Sequence, residues 1–315
     1  MSDPFVHHPE LRALIAKPEA SPFRKQSMAE FVAFIEEAGL DTGWFYSGDE
    51  REASRAETLK GREGQDFWFF GYGSLMWDPG IRFVEVRRAH LPGYSRQFIL
   101  KDTFGARGTE EAPGLMAALD HGGGCHGLAF RIAGAEFDLE TDFIWRREFI
   151  APGYHPVFAP VETDHGSIEA LTFLADHEAE TMCDDLTWEE KVRFAATGAG
   201  LFGTSLEYIS NIVGHFETLG IDDPHTRALH EAALAYRAAG DECGAIDRAQ
   251  DAKADDQKAK HSGIDDAGHR EHEEPDQGIE GVGQKALVGQ SPADVRREKG
   301  DELSLIHISE PTRPS

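Results

Sequence analysis

An apolar run that ends in two glycines, FWFFGYGSLMW at 67–77, constrains the fold more than any other stretch. A strand that is buried on both faces has a continuous apolar sequence, so Phe67–Phe70 predicts a core strand. Gly71 and Gly73 then permit backbone conformations and close approaches that a side chain would prevent. Two interpretations follow: a tight turn that is needed only for folding, or a loop whose bare N–H groups face a ligand.

Further strands are predicted after this run. Apolar and alternating patterns bounded by turn residues indicate strands at 114–119, 125–132, 156–163 and 167–175. The sequence HGGG at 121–124 separates the first two, and we expect it to form a hairpin turn.

Helical patterns are found at 27–40, 136–148 and 203–220. The last of these opens with Thr204-x-x-Glu207, the pattern of a capping box, and ends at Gly220. The charged segment 47–65 shows no comparable apolar face, and we expect it to be an exposed connection.

Composition divides the chain into three parts. Residues 1–65 combine helical patterns with polar connections and form an N-terminal helical extension, whereas 66–240 carry most of the aromatic residues. No Phe, Trp or Tyr occurs from Asp241 onward, so we expect 241–315 to be a disordered acidic tail. Within it, SLIHISEPTR at 304–313 resembles the translation of a sequencing adapter rather than gene-encoded protein.

Charge and cysteine content exclude several classes of function. The formal charge of −26 argues against binding of nucleic acid or of anionic membranes, both of which need basic patches. No apolar stretch is long enough to span a membrane, and the N-terminus lacks the pattern of a signal peptide. Cys125, Cys183 and Cys243 are odd in number and widely spaced, which favours neither disulfides nor a zinc site. We therefore expect a soluble cytoplasmic protein.

The helix at 136–148 places one carboxylate among residues that suit a core. Its shared face, at spacings of three and four, consists of Phe137, Thr141, Ile144, Trp145 and Glu148. Burial raises the pKa of a carboxyl group towards the working range of a general base.

Two alternatives exist for Glu148. It lies near the end of the helix, where it could turn to solvent. A salt bridge with Arg146 or Arg147 is disfavoured, because adjacent residues on a helix point apart.

No motif for a metal or a cofactor is present. The histidines show no ligand spacing such as H-E-x-x-H. Gly71-x-Gly73 does not match the dinucleotide fingerprint, since Met76 stands where its third glycine would be, and it lacks the Lys-Ser/Thr of a P-loop. We expect a protein that needs neither group.

Four motifs in order resemble the ChaC-type γ-glutamylcyclotransferases. They are FGYGSLMW, then RGT (Arg107–Thr109) with Pro113-Gly114, then IWRREF followed by GYHP, and finally GTSLEYI. The resemblance covers about residues 66–235. It implies an α+β fold with a mixed, barrel-like sheet and flanking helices, so that 66–240 would be the catalytic domain.

The resemblance also implies a reaction and a site. The substrate would be glutathione, which is cleaved to 5-oxoproline and Cys-Gly without cofactor or metal. The catalytic glutamate would be Glu148, and Tyr154 is the tyrosine that follows it. The substrate loop would consist of Gly71, Tyr72, Gly73, Ser74, Leu75 and Met76, with the two glycines making room for the ligand beside backbone N–H donors.

Two other functions fit the same resemblance. One is an enzyme that acts on other γ-glutamyl amines or peptides, because the loop would read only the γ-glutamyl part. The other is a γ-glutamyl-binding module without catalysis. A pure binder gains nothing from a carboxylate on a core face, so Glu148 weighs against the second.

Overall fold

The computed structural model describes residues 3–240, and the predicted tail at 241–315 lies outside this range. Five strands close into a barrel in the order β1-β3-β2-β4-β5. They are β1 (Phe67–Gly71), β2 (Glu85–Phe104), β3 (Thr109–Ile132), β4 (Tyr154–Thr163) and β5 (Gly166–Ala175). Strand β1 pairs in parallel with β5 and antiparallel with β3, which makes the sheet mixed. The α+β fold with a barrel-like sheet is confirmed.

Helices and one small hairpin surround the barrel. The helices are α1 (Pro22–Lys25), α2 (Met28–Glu37), α3 (Gly48–Leu59), α4 (Phe137–Glu148), α5 (Trp188–Thr197), α6 (Ser205–Leu219) and α7 (224–240). The hairpin joins β6 (Ala199–Gly200) to β7 (Gly203–Thr204). The predicted capping box of α6 is confirmed, since Thr204 Oγ1 accepts from Glu207 N and the helix ends at Gly220. Within residues 3–240 no helix has the length and apolar character needed to cross a membrane.

The predicted hairpin turn at 121–124 is wrong. These residues continue β3, which pairs along nearly its whole length with β2, a strand that the sequence did not indicate. Two of the three glycines are needed because side chains of β2 lie across them: a Cβ on Gly122 would fall 1.8 Å from Ser95 Oγ, and one on Gly124 would fall 2.2 Å from His90 Nε2. The HGGG sequence therefore serves close strand packing.

The predicted exposed connection at 47–65 is also wrong, because α3 occupies most of it. Ser47 and Glu50 form a capping box that starts the helix. One face of α3 then packs on α4: Trp145 Nε1 donates to Ser54 Oγ at 3.1 Å, and Leu59 is buried. The abundant charge occupies the opposite, exposed face.

Residues before the barrel contribute to the same hydrophobic core as the barrel itself. Leu11, Ile15 and Leu59 are buried in the cluster that contains Phe69 and Phe70. Arg24 of α1 forms two hydrogen bonds with Glu140 of α4, at 2.6 and 2.8 Å. The N-terminal segment is thus anchored on the helix that ends at Glu148.

Candidate active site

Glu148 lies beside three tyrosines that come from three different elements. Tyr72 follows β1, Tyr154 begins β4 and Tyr208 lies on α6. Burial raises the pKa of all three hydroxyls, and the charge of Glu148 raises each of them further. We call Glu148, Tyr72, Tyr154 and Tyr208 the tyrosine–glutamate cluster.

Glu148 is enclosed but still reachable. Its side chain is 23% exposed, yet so many protein atoms surround it that burial raises the pKa of the carboxyl group. A carboxylate with this pKa shift and some access to solvent can accept a proton from a ligand and return it.

Arg147 opposes this rise, and the expectation that it would point away from Glu148 is wrong. Arg147 Nε lies 3.0 Å from Glu148 Oε1, and the ion pair lowers the pKa of Glu148. Glu148 is the last residue of α4, and Phe149 leaves the helical conformation, so the two side chains are not held apart as they would be inside a helix. Arg147 also donates to Asp78 O at 2.6 Å and to Ser74 Oγ at 3.3 Å. It therefore links the carboxylate to the glycine loop.

Gly71 and Gly73 are required for different reasons. A Cβ on Gly71 would lie 2.7 Å from Leu75 Cβ, so this glycine is required by packing within the loop. A Cβ on Gly73 would instead lie 3.2 Å from Tyr208 Oη. Gly71 therefore fits the interpretation as a structural turn, whereas Gly73 approaches Tyr208 of the cluster, and its role in facing a ligand stays a prediction.

The rest of the loop turns its side chains inward. Ser74–Met76 form a 3₁₀ turn, and Leu75 and Met76 are buried in the core. The N–H of Met76 is already used, since it donates to Gly73 O at 3.0 Å. The N–H groups of Ser74 and Leu75 come before this first bond of the turn, where such groups are left for other acceptors. Leu75 can thus offer a ligand its backbone N–H, whereas the N–H of Met76 is occupied.

Two functional candidates were missed by the sequence reasoning. Tyr208 lies within the GTSLEYI motif but was not assigned to the site. Arg96, which is 3% exposed, donates from Nε to Tyr72 O at 2.8 Å and from Nη2 to His126 O at 2.9 Å, and it pairs with Asp223. Arg96 therefore holds the backbone carbonyl of Tyr72 in place. A lone arginine in a strand that was not predicted gives no sequence signal for this role.

The cluster offers one carboxylate and three phenols. In the part of the chain that the structure describes, no three His, Cys, Asp or Glu side chains lie together as metal ligands would. The chemistry that the residues themselves provide is proton transfer by a buried carboxylate next to backbone and hydroxyl donors.

Residues 67–236 match a family model described as ChaC-like protein. A glutathione-specific γ-glutamylcyclotransferase of Escherichia coli (strain K12) is 33% identical over 186 residues, which cover 58% of this chain and 80% of the relative. The human glutathione-specific γ-glutamylcyclotransferase 1 is 29% identical over 175 residues, 53% of this chain and 78% of the relative.

A solved structure shares the fold. The crystal structure of a γ-glutamyl cyclotransferase specific to glutathione from yeast covers 55% of this chain and 97% of its own, with a TM-score of 0.51 and 18% identity. The match of more than half of the chain to one family model, together with the bacterial relative, establishes the family. The chain belongs to the ChaC-like proteins.

Proposed function

We propose that this protein is a glutathione-degrading γ-glutamylcyclotransferase that releases 5-oxoproline and Cys-Gly. The observation that carries the proposal is Glu148, a carboxylate whose pKa burial raises, whose charge acts on three tyrosines and whose partner Arg147 also bonds to the glycine loop. The names of the relatives in E. coli and human support glutathione as the substrate.

The reaction is an internal aminolysis. The α-amine of the γ-glutamyl group attacks its own γ-carbonyl carbon, the bond from that carbon to the cysteine nitrogen breaks, and a five-membered lactam forms. Nucleophile and electrophile are held in one folded substrate, and such proximity can reach effective molarities of about 10⁵–10⁸ M. The protein must therefore supply mainly proton transfer and charge stabilisation.

Glu148 performs the proton transfer. It takes one proton from the α-ammonium group, which frees the attacking lone pair, and a second proton from the same nitrogen after the new C–N bond has formed. It delivers both to the departing cysteine nitrogen, which leaves as the ammonium group of Cys-Gly. A shuttle of this kind contributes about 10²–10⁴-fold to the rate. Arg147 keeps the carboxylate oriented and moderates its pKa, so that the group is not held protonated by burial alone.

The glycine loop stabilises the negative charges of the substrate. We assign the N–H groups of Ser74 and Leu75 to the substrate α-carboxylate and to the oxygen that becomes negative at the γ-carbon. Each well-placed donor to such an oxygen is worth about 2.7–4 kcal/mol. Tyr72 and Tyr154 complete the wall of the site, and Gly73 keeps the loop close to Tyr208.

The remaining assignments belong to the same proposal. We infer that residues 66–240 form the catalytic domain and that 1–65 are an extension which braces it. The reaction needs neither metal nor cofactor. A cytoplasmic location agrees with the free thiols of Cys125 and Cys183, because reducing compartments keep thiols in this state.

The test is incubation of the purified protein with glutathione and, separately, with γ-glutamyl-alanine, each with and without EDTA, followed by assay of 5-oxoproline. We expect release from glutathione that EDTA does not reduce. Faster release from γ-glutamyl-alanine would favour the enzyme of broader γ-glutamyl specificity. No release from either substrate, with both still bound, would favour the binding module and refute the proposal.

A further inference from the structure

Arg107 lies in the loop between β2 and β3. Among the described residues, none forms a salt bridge with it. Its Nη1 donates to Thr204 O at 3.1 Å, and its guanidinium lies over the ring of Tyr208, 5.1 Å from the centroid. Arg107 is partly buried, and this burial lowers the pKa of its guanidinium, although the charges of Tyr208, Glu207 and Asp102 oppose the shift. Buried charges are normally paired or engaged by a ligand.

The two carboxylates whose charges act on Arg107 are occupied elsewhere. Asp102 accepts backbone N–H groups from Phe104 and Gly108, and the backbone N–H rather than the guanidinium of Arg107 also reaches it. Glu207 Oε2 accepts from Thr204 N at 2.8 Å in the capping box of α6. The guanidinium of Arg107 is therefore available to an incoming anion.

The loop that carries Arg107 is held firmly. Leu201 N donates to Gly105 O at 2.7 Å and Phe202 N donates to Ala106 O at 2.8 Å, so the β6–β7 hairpin is bonded to the loop. Phe202 in turn stacks on Phe31 of α2, with ring centroids 6.1 Å apart. An arginine on such a braced loop is preorganised for binding, because little conformational freedom is lost when a ligand arrives.

The charges of Arg107 and Glu148 both act on the Tyr208 hydroxyl, but no ion pair among the described residues joins them. Among the described residues, however, the arginine whose charge shifts the pKa of Glu148 is Arg147 and not Arg107. Arg147 pairs with Glu148 at 3.0 Å, whereas Arg107 forms no ion pair with Glu148 in the described part of the chain.

The two carboxylates of a γ-glutamyl tripeptide differ in their distance from the reacting amine. The α-carboxylate is bonded to the same carbon as the amine that Glu148 deprotonates, so it must lie close to Glu148. The C-terminal carboxylate lies two residues away along the peptide. The second carboxylate suits Arg107, which lies over Tyr208 and does not pair with Glu148.

We propose that Arg107 is the subsite for the C-terminal carboxylate of the substrate and selects peptides that end in a free carboxylate. The inference rests on the proposed function and deepens it, since it names what would distinguish glutathione from other γ-glutamyl amines. A guanidinium suits this task because its planar fork binds a carboxylate through two parallel hydrogen bonds.

The test compares glutathione with its C-terminal amide, which differs only in the charge at that end, using the wild-type protein and Arg107→Gln. The wild type should prefer glutathione by at least about tenfold in kcat/KM, the size expected for a lost hydrogen bond to a charged group. Arg107→Gln should lose this preference while it turns over the amide within about twofold of the wild-type rate. Arg193→Gln, which removes an exposed arginine of α5, is the matched control and should keep the preference.

The other possible outcomes decide between the Arg107 subsite and the proposed function. An equal loss for both substrates in Arg107→Gln would mean that Arg107 supports the fold or holds the α-carboxylate, and it would refute the subsite. A wild type that does not discriminate between the two peptides would refute it as well. If neither peptide yields 5-oxoproline, the proposed function fails, and calorimetric binding decides the subsite: tighter binding of glutathione that disappears in Arg107→Gln supports it, and equal binding refutes it.

Discussion

Helix α4 carries two enclosed carboxylates, Glu140 and Glu148, with opposite surroundings. Glu140 is fully buried, and its oxygens accept two hydrogen bonds from Arg24 and one from the backbone N–H of Arg82. Glu148 retains 23% exposure and has one charged partner, Arg147. Its other neighbours are tyrosine hydroxyls, whose pKa values its charge raises.

The difference shows how a structural carboxylate is distinguished from a reactive one. All the charge of Glu140 is used to join α1, α4 and the segment before β2, so a proton or ligand has no place there. Glu148 is partly removed from water but has fewer hydrogen-bond partners than Glu140. A carboxylate in that state can take up and release a proton. Both carboxylates are enclosed, and the number of hydrogen-bond partners is what distinguishes their roles.

Glu148→Gln should give the largest effect on activity. The amide keeps the shape of the side chain but cannot shuttle a proton, so kcat for 5-oxoproline release should fall by about 10²–10⁴-fold while γ-glutamyl ligands still bind. The melting curve should change little. Retention of more than about a tenth of the wild-type kcat would contradict the general-base role.

Glu140→Gln is the matched substitution and should act on stability. It leaves the buried charge of Arg24 uncompensated, which costs about 3–5 kcal/mol of unfolding free energy when a buried ion pair is broken. The folded fraction should retain normal kcat, measured at a temperature below its transition. Loss of kcat without loss of stability would mean that Glu140 belongs to the catalytic machinery and that the comparison is wrong.

The sequence allowed only part of this comparison to be predicted. Apolar spacing identified β1, α4 and α6, and it singled out Glu148 because four core residues share its face. The same spacing did not single out Glu140, whose partner Arg24 lies 116 residues away in the chain. Such long-range pairing leaves no local pattern.

The missed elements have physical causes as well. Pro92 and Gly93 lie within β2, where its pairing with β3 shifts register between Pro92 and Tyr94. The alternation of apolar and polar residues that would predict a strand is therefore lost at this point. Segment 47–65 was dominated by charge, although its Ser47 and Glu50 have the same spacing as the capping box that was recognised at Thr204 and Glu207. The Arg147–Glu148 ion pair depends on the geometry of a helix end, which spacing rules for helix interiors do not describe.

Gly73→Ala should lower kcat/KM by at least about tenfold, or 1.4 kcal/mol, with little change in melting temperature. The new Cβ would lie 3.2 Å from Tyr208 Oη and would push the loop away from the cluster. Gly71→Ala is the control with the reverse pattern: its Cβ meets Leu75 at 2.7 Å, so it should lose stability first. A Gly73→Ala variant that melts many degrees lower but turns over normally while folded would make Gly73 a structural turn.

Arg147→Gln should move the acidic limb of the kcat/KM profile to higher pH. Glu148 must be unprotonated to act, and activity falls as the pH drops through its pKa, which burial raises and Arg147 lowers. Without the guanidinium, burial acts alone and the pKa rises further. Arg147→Lys should keep the limb nearer its original position, and Arg146→Gln, whose arginine pairs with exposed Asp142, should not move it. A limb that stays in place or moves to lower pH in Arg147→Gln would show that the ion pair does not tune Glu148.

Removal of residues 241–315 should have the smallest effect. The segment contains no aromatic residue and carries a heavy load of charge, so little apolar surface is lost with it. Melting temperature and kcat/KM should remain nearly unchanged. A fall of several degrees would show that the segment stabilises the domain.

The central claim is that Glu148 transfers the protons while the γ-glutamyl group of the substrate cyclises. Its most direct test uses glutathione with ¹⁵N in its α-amine and follows the products by nuclear magnetic resonance. The account predicts that the label appears as the lactam N–H of 5-oxoproline, at a rate that falls by about 10²–10⁴-fold in Glu148→Gln. Label that appears instead in free glutamate would show hydrolysis by water. Lactam formed at the same rate by Glu148→Gln would show that another group carries the proton, and either result would contradict the account.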